Sequence, residues 1–510
     1  MQNEKTGLTR SAVGPASGSS FFNLHSSLAG RWAVFISLSV LALAVRLPRL
    51  AERPMHTDES INAYITGELL AGDSFHYDPR DRHGPVLFAF AEPLVKLLGA
   101  RKFSDLTESQ LRLTTVIIGS ATVLLLGAGV EMFGFIPCLV AALLFAFAPL
   151  PVYYNRYFIH ETLFVAATLG LILAGWRAWQ KNSAWSAGFA GLCAGLLLAC
   201  KETSVIHFFA LGLAMICGWF LLPREKAPKL KIVGVAFTVF VAVTVTLFTW
   251  FGRNWAVFGD LAQAVPHFAA RAGGEGHEKP FGYYFHLLDP TFVLMIVAVG
   301  GGYAAICDAV TGIRKPHLLL VIYGLLILMI YSAIPYKTPW LALNLWLPLA
   351  LMCGFGVEAF WEQMTNATGR WFIVVAGGFL LAVLGAQTKL WAFDQPADEK
   401  NPYAYAHTVD DLLGLPARIE ELAKKENLTQ PRIAVIAADA WPLPWYLRKY
   451  SKVGYWQPAQ DPGPADFYIT TTDVPAQLDE RLKNLNSEYF GVRPEVLLVL
   501  WTPATKETTP

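Results

Sequence analysis

Acids, bases and cations gather at short breaks between long apolar runs. They are Asp58-Glu59 in HTDES, His83 in HGP, Arg156 with His160-Glu161 in YNRYFIHE, Lys201-Glu202 in CKETS and Lys337 in IPYKTPWL. A carboxylate can take the proton of a hydroxyl. Lysine, arginine and histidine can neutralise charge that develops on a leaving anion. The set therefore suits attack by a hydroxyl with departure of an anion such as a phosphate. Each fragment alone has a plainer reading. Asp58 can simply cap a helix over Ser60 to Leu70. Tyr153, Tyr154 and Tyr157 can form an interfacial aromatic belt with Arg156 as a snorkelling cation. Lys201-Glu202 can be a hairpin turn. None of these explains why several such clusters recur.

The elements that must position them are read from composition and hydropathy. The chain has 510 residues, of which 54% are hydrophobic and 15% charged. Soluble domains carry roughly 25% charged residues, so this is a membrane protein by composition. A formal net charge of +1 gives no reason to expect nucleic-acid binding. The six cysteines lie in or beside apolar runs without a CxxC pair, and read as small core residues.

A membrane-crossing helix needs ~20 apolar residues. Eleven candidates follow, near 32–49, 113–131, 134–153, 161–178, 184–200, 203–222, 231–251, 290–308, 317–335, 340–360 and 371–390. The polar stretch 1–30 reads as a disordered cytoplasmic tail. The first span is expected to be retained, because no cleavable signal pattern accompanies it. An odd number of spans puts the termini on opposite sides. With the N-terminus in the cytoplasm, the inner loops carry Arg177, Lys181, Arg224, Lys226, Lys229, Lys231, Arg314, Lys315 and Arg370, as the positive-inside rule asks. All the clusters named above then fall on the outer side, with the long segments 50–112, 252–289 and 391–510.

The expected organisation is a transmembrane domain over 31–391 and an extracytoplasmic α/β domain over 392–510. Val86 to Leu98 is apolar but short, and suits a helix at the membrane surface. In the soluble end, a helical pattern runs near 409–426, with strands at RIAVIAA, DFYITTT and PEVLLVLW and a turn and helix at WPLPWYLRKY. No glycine-rich phosphate loop follows the first strand.

Outside the cell no nucleotide sugar is at hand, so a lipid-linked donor is the natural one. Its phosphate would sit at the interface while its polyprenyl tail stays in the bilayer. Asp58 and Glu59 are then the candidate catalytic carboxylates. Lys201, Arg156, His83 and Lys337 are the candidates for the donor phosphate, and Glu161, His160 and Glu202 orient them. No compact metal-ligand spacing is present, but Asp58, Glu59 and Glu161 could share a divalent ion.

These stretches resemble the C-type glycosyltransferase superfamily, which includes the dolichyl-phosphate-mannose protein mannosyltransferases and the aminoarabinose transferase acting on lipid A. HTDES, HYDP with HGP, YNRYFIHE, CKE, IPYKTPWL, NPYAYAHTVDDL and WPLPWYLR are more closely similar to the integral membrane family known as flippase-activity-associated proteins. The resemblance implies a C-type glycosyltransferase fold of about 11 transmembrane helices and a polyprenyl-phosphate sugar donor. It also implies Asp58 as base, Glu59 as its neighbour in the motif, and Lys201 toward the donor phosphate. His83 lies where relatives carry a His or Lys before two prolines, and Gly84 replaces the first of them. Arg156 and Glu161 match an Arg and an acid after the third span, and Lys337 stands outside the resemblance.

The expected function is inverting hexosyl transfer to a hydroxyl on a lipid, glycan or protein acceptor, at the outer face of the plasma (inner) membrane. Asp58 deprotonates the acceptor, Lys201 and Arg156 hold the leaving phosphate, and Glu161 orients Arg156. The alternative is a flippase, or a flippase partner, for lipid-linked sugars. A translocator should carry polar residues along its spans, and these spans are nearly free of charge. A structural scaffold is a third reading, in which the outer charges are dispensable.

Overall fold

The computed structural model describes residues 27–503, apart from 81, 222–228, 275, 290, 312–314, 439, 459 and 475–477. Most of the expected tail, and the inner-loop markers Arg224, Arg314 and Lys226, lie outside the described residues. The end of the tail is corrected: Ser27 caps a helix over Leu28–Arg46, its side chain accepting from Gly30 N at 3.0 Å.

Among the described residues eight helices are long and apolar enough to cross a membrane, or nine if a bent pair is one span. The pair is Phe135–Phe147 and Pro149–Asn155, bent by 60°. Pro149 opens its second half, where a proline has no N–H to lose from the ladder. Two further expected spans are shorter apolar helices, Ala184–Leu198 and Ser204–Gly218. Each of the eleven expected segments therefore holds an apolar helix or helix pair, but not all reach spanning length.

Helix Pro339–Gln363 is the most enclosed, with 89% of its apolar window buried. Leu230–Phe248 and Ala367–Asp394 bury only 11% and present Phe237, Phe372 and Phe379 outward. Apolar residues on every side suit helices bounded by lipid.

Helix Val86–Leu97 buries Leu87, Phe88 and Val95 and leaves Phe90 and Leu97 exposed, as a surface-lying helix would. At the carboxy-terminal end a five-stranded sheet has the order β2-β1-β3-β5-β4. The strands are β1 (Ile433–Ile436), β2 (Val453–Trp456), β3 (Phe467–Thr471), β4 (Leu485–Arg493) and β5 (Val496–Pro503). β2, β1 and β3 are parallel, and the β4–β5 hairpin closes the edge antiparallel to β3. The three expected strands are β1, β3 and β5. β2 and β4 went unread because both are half-exposed and mix Gly, Asn, Ser and Glu with their aromatics.

This domain docks through two of the quoted motifs. From WPLPWYLR, Trp445 Nε1 donates to Glu108 Oε1 at 2.8 Å and Arg448 donates to Leu106 O at 3.1 Å. Met55 N donates to the Tyr446 hydroxyl at 2.8 Å. From NPYAYAHT, Thr408 Oγ1 donates to Met55 O at 2.7 Å, and Tyr403 O accepts from Tyr154 at 2.9 Å. Both motifs thus bind the soluble domain to the segment that carries Asp58.

Candidate active site

The site begins at helix Thr57–Ala71. His56 caps it, Nδ1 accepting from Asp58 N at 3.0 Å while Glu59 completes the capping box. Burial keeps the His56 imidazole below its usual range, against the pull of Asp58. Its other nitrogen lies 3.0 Å from Tyr405 O, so the bonding pattern assigns a neutral ring with the proton on Nε2.

Adjacent carboxylates now diverge. Glu59 is fully buried. It accepts two 2.8 Å bonds from Arg112, bonds at 3.1 Å from Arg53 and one at 2.9 Å from Phe158 N. Burial alone would raise its pKa, but the two guanidinium groups outweigh it and hold the carboxyl well below the usual range. Arg112 spends its remaining donors on Leu50 O, Arg53 O and Pro54 O. Arg53 lies over the Tyr157 ring at 4.3 Å and donates to Arg156 O. This closed cage has no side open to a cation or substrate. Glu59 is therefore reassigned from the catalytic pair to positioning of the helix.

Asp58 points the other way. Its side chain is 42% exposed, with His56 Nδ1 3.9 Å away. No described residue donates a hydrogen bond to its carboxylate. It acts electrostatically on His277, whose ring bonds the Tyr405 hydroxyl at 2.8 Å.

A second cluster lies along the same connector, residues 156–161. Lys201 Nζ pairs with Glu161, both nearly buried. Burial would lower the Lys201 pKa, but Glu161 outweighs it and raises it. His83 Nδ1 lies 2.9 Å from Glu202 Oε2, and the Tyr77 hydroxyl donates to the other oxygen at 3.1 Å. Burial would raise Glu202, yet His83 holds it below its ordinary value. The His83 side chain stays 32% exposed.

His160 lies 3.1 Å from Gly84 O and is pushed well below its ordinary pKa, by burial first and then by His83 and Lys201. Gly84 is needed here: a Cβ would stand 2.1 Å from Ala199 O, the acceptor of Val86 N. Close backbone approach, with no role as a proline substitute, explains the HGP sequence. The connector thus touches both clusters, through Phe158 N to Glu59 and through Glu161 to Lys201. Asp58, His83, Glu161 and Lys201 gather at one end of the bundle.

Several expectations change. Glu161 bonds Lys201 and does not orient Arg156. Arg156 donates to Arg46 O and Pro48 O at 2.6 Å and to Arg49 O at 3.2 Å, and stacks on Phe393 at 4.2 Å. It closes the carboxy-terminal end of the first span, where carbonyls lack partners. Its donors are engaged with the fold, away from any phosphate. Lys337 is buried as well: Nζ donates to Lys279 O at 3.1 Å and its backbone N to His277 O at 3.1 Å. It pins the loop that carries His277. Among the described residues no group of three His, Cys, Asp or Glu side chains is placed to hold a metal ion. Asp58, Glu59 and Glu161 therefore do not form a shared ion site, since the last two are committed to Arg and Lys.

Arg53, Arg112, His56, Tyr77 and Tyr405 were not foreseen. An arginine four residues into a span (Arg112, in a helix starting at Glu108) is costly in lipid unless paired, and that was the available signal.

An apolar cavity of about 650 Å³ runs along the helices that adjoin the second cluster, as far as Arg177 and Trp185. Val86 and Phe90 follow His83 into its wall, Leu163 and Ala167 follow Glu161, and Leu192 and Leu196 precede Lys201.

Residues 82–250 match the model of the family described as dolichyl-phosphate-mannose-protein mannosyltransferase. Among solved structures, ArnT from Cupriavidus metallidurans bound to undecaprenyl phosphate is similar at TM-score 0.62 and 14% identity, over 93% of this chain and 98% of that one. AglB from Archaeoglobus fulgidus, an oligosaccharyltransferase in complex with an inhibitory peptide and a dolichol-phosphate, is similar at TM-score 0.54 and 12% identity, over 96% and 75%. The mycobacterial arabinofuranosyltransferase AftD is similar at TM-score 0.50 and 13% identity, over 94% of this chain and 40% of that one. No curated protein matches in sequence. The fold is the C-type glycosyltransferase fold, as the resemblance implied.

Proposed function

We propose that the protein transfers a sugar from a polyprenyl-phosphate-linked donor to an acceptor hydroxyl at the outer membrane face. The carrying observation is the open Asp58 carboxylate at the same bundle end as the Lys201–Glu161 pair. Support also comes from the mannosyltransferase match over 82–250, and from similar structures that hold undecaprenyl phosphate or dolichol-phosphate. The donor phosphate lies against Lys201 and His83, and its tail runs into the cavity.

Asp58 removes the acceptor's hydroxyl proton. The oxygen attacks the anomeric carbon, the carbon–oxygen bond to phosphate breaks on the opposite side, and the configuration inverts. Lys201, held charged by Glu161, and His83, held by Glu202, receive the departing phosphate. Glu59, Arg112 and Arg53 hold the helix that aims Asp58. Arg156 ties the first span to the connector, and Lys337 anchors the loop over the site. The acceptor is a lipid, glycan or protein hydroxyl. In this reading the chain lies in the plasma (inner) membrane with residues 392–510 outside.

Asp58→Asn tests the base assignment. Transfer from a synthetic polyprenyl-phosphate sugar should fall by about 10²–10⁴-fold, the usual worth of a general base. The variant should insert and melt like the parent. Full activity would remove Asp58 from that role.

A further inference from the structure

Beneath Lys201 and Glu161 lies a cluster of buried polar side chains that the mechanism leaves unused. His207 is fully buried on the helix that follows Lys201, its ring edge-on to Phe164 at 4.6 Å. Its nitrogens lie 2.7 Å from the Tyr323 hydroxyl and 2.9 Å from the Tyr331 hydroxyl. Tyr331 is close to Thr203 and Asn344 and within electrostatic reach of Glu161. It approaches Thr203 and Asn344 without the geometry of a hydrogen bond. Thr203 Oγ1, Thr338 Oγ1 and both the oxygen and the nitrogen of Asn344 are buried with no hydrogen-bond partner. Tyr284 lines the same space, 6.3 Å from the Tyr331 ring, and donates to Thr338 O at 3.3 Å.

These groups sit at matching ends of their helices. Thr203 precedes Ser204–Leu221, Tyr331 is near the end of Lys315–Ala333, and Asn344 is in the first turn of Ala342–Gln363. A buried polar group left without a partner lowers stability, because it gives up its bonds to water for nothing. Polar groups at membrane depth mark functional sites by default. An amide offers a donor and an acceptor side by side, which fits two neighbouring hydroxyl groups of a sugar ring.

We propose that Thr203, Tyr331 and Asn344 form the sugar-recognition wall of the donor site, bonding the hydroxyls of the glycosyl unit whose phosphate lies at Lys201. His207 and Tyr323 are positioning residues that hold Tyr331 upright. This rests on the donor reading above, and the test separates the two.

Equilibrium binding of bare undecaprenyl phosphate is compared with the same carrier bearing mannose, glucose, N-acetylglucosamine or arabinose, using the full-length protein in detergent. The parent should prefer one glycosylated carrier over the bare one. Asn344→Leu should cut that preference by about 30-fold, two lost hydrogen bonds, while bare-carrier affinity holds. Its melting temperature should hold or rise, because the replaced groups had no partners; a purely structural amide would lower it. Thr203→Val, nearly isosteric, should lose preference in the same direction by a smaller factor. An unchanged preference in both variants, or no preference in the parent, overturns the proposal and leaves the cluster a part of the helix packing. Binding is read without turnover, so loss of transfer in the parent would sink the enzyme reading and leave this result standing.

Discussion

Glu59 and Asp58 are chain neighbours in two different regions. Glu59 lies in a closed cage of two arginines and a backbone amide, with no exposed surface. Asp58 lies at an open face, with its side chain 42% exposed, at the bundle end where the half-exposed His83 is also found. The cage pairs its carboxylate with two guanidinium groups, as a buried ion cluster must to persist. The open face leaves its carboxylate without a hydrogen-bond donor. Saturated charge builds the bundle end, and unsaturated charge is free to meet a substrate.

The comparison breaks most sharply at Glu59. Glu59→Gln strands two buried guanidinium groups, and should cost about 3–5 kcal/mol of stability by the usual worth of a broken buried pair. Thermal unfolding in detergent reads it. Proton linkage adds a pH signature. The Glu59 pKa is depressed in the folded state, so its contribution is fully present above the ordinary carboxylate range and is lost as pH falls below it. Stability of the parent should therefore decline on acidification below about pH 4.5, near the unfolded value. That decline should be shallower in Glu59→Gln.

Gly84→Ala is the intermediate case. The new methyl must displace the Ala199 carbonyl and carry His83 with it. Misplacement of about 1 Å can cost 10²-fold in rate, so kcat should fall by about that factor. An unaltered kcat would detach His83 from the open face. Tyr77→Phe is the mildest. It removes one of two bonds that hold Glu202 for His83. Loss of one such bond is worth about 1.5–3 kcal/mol when a charged group is involved. Because His83 still holds Glu202, the effect should fall at the low end, as a KM increase for the donor with little change in kcat.

The broad fold was legible in the sequence, because hydrophobic length alone reports membrane helices. The edge strands β2 and β4 were not, since half-exposed strands carry weak patterns. In the candidate site, Asp58, His83, Lys201 and Glu161 stand out in the sequence as polar residues at breaks between apolar runs. Their pairings were hidden. Arg156 was read as a phosphate ligand because sequence cannot show that three carbonyls at the end of the first span would take its donors. Glu161 was assigned to Arg156, its near neighbour in sequence, while the bundle brought Lys201 to it from forty residues away. Glu59 shared a motif with Asp58, and only packing separates an N-terminal helix carboxylate facing in from one facing out.

The most direct measurement places the purified protein in vesicles that hold a synthetic polyprenyl-phosphate sugar on the leaflet facing residues 392–510, with a hydroxyl acceptor on that side. Release of free polyprenyl phosphate with a glycosylated acceptor is the predicted result. Movement of the intact carrier to the other leaflet, with no sugar transferred, would contradict it.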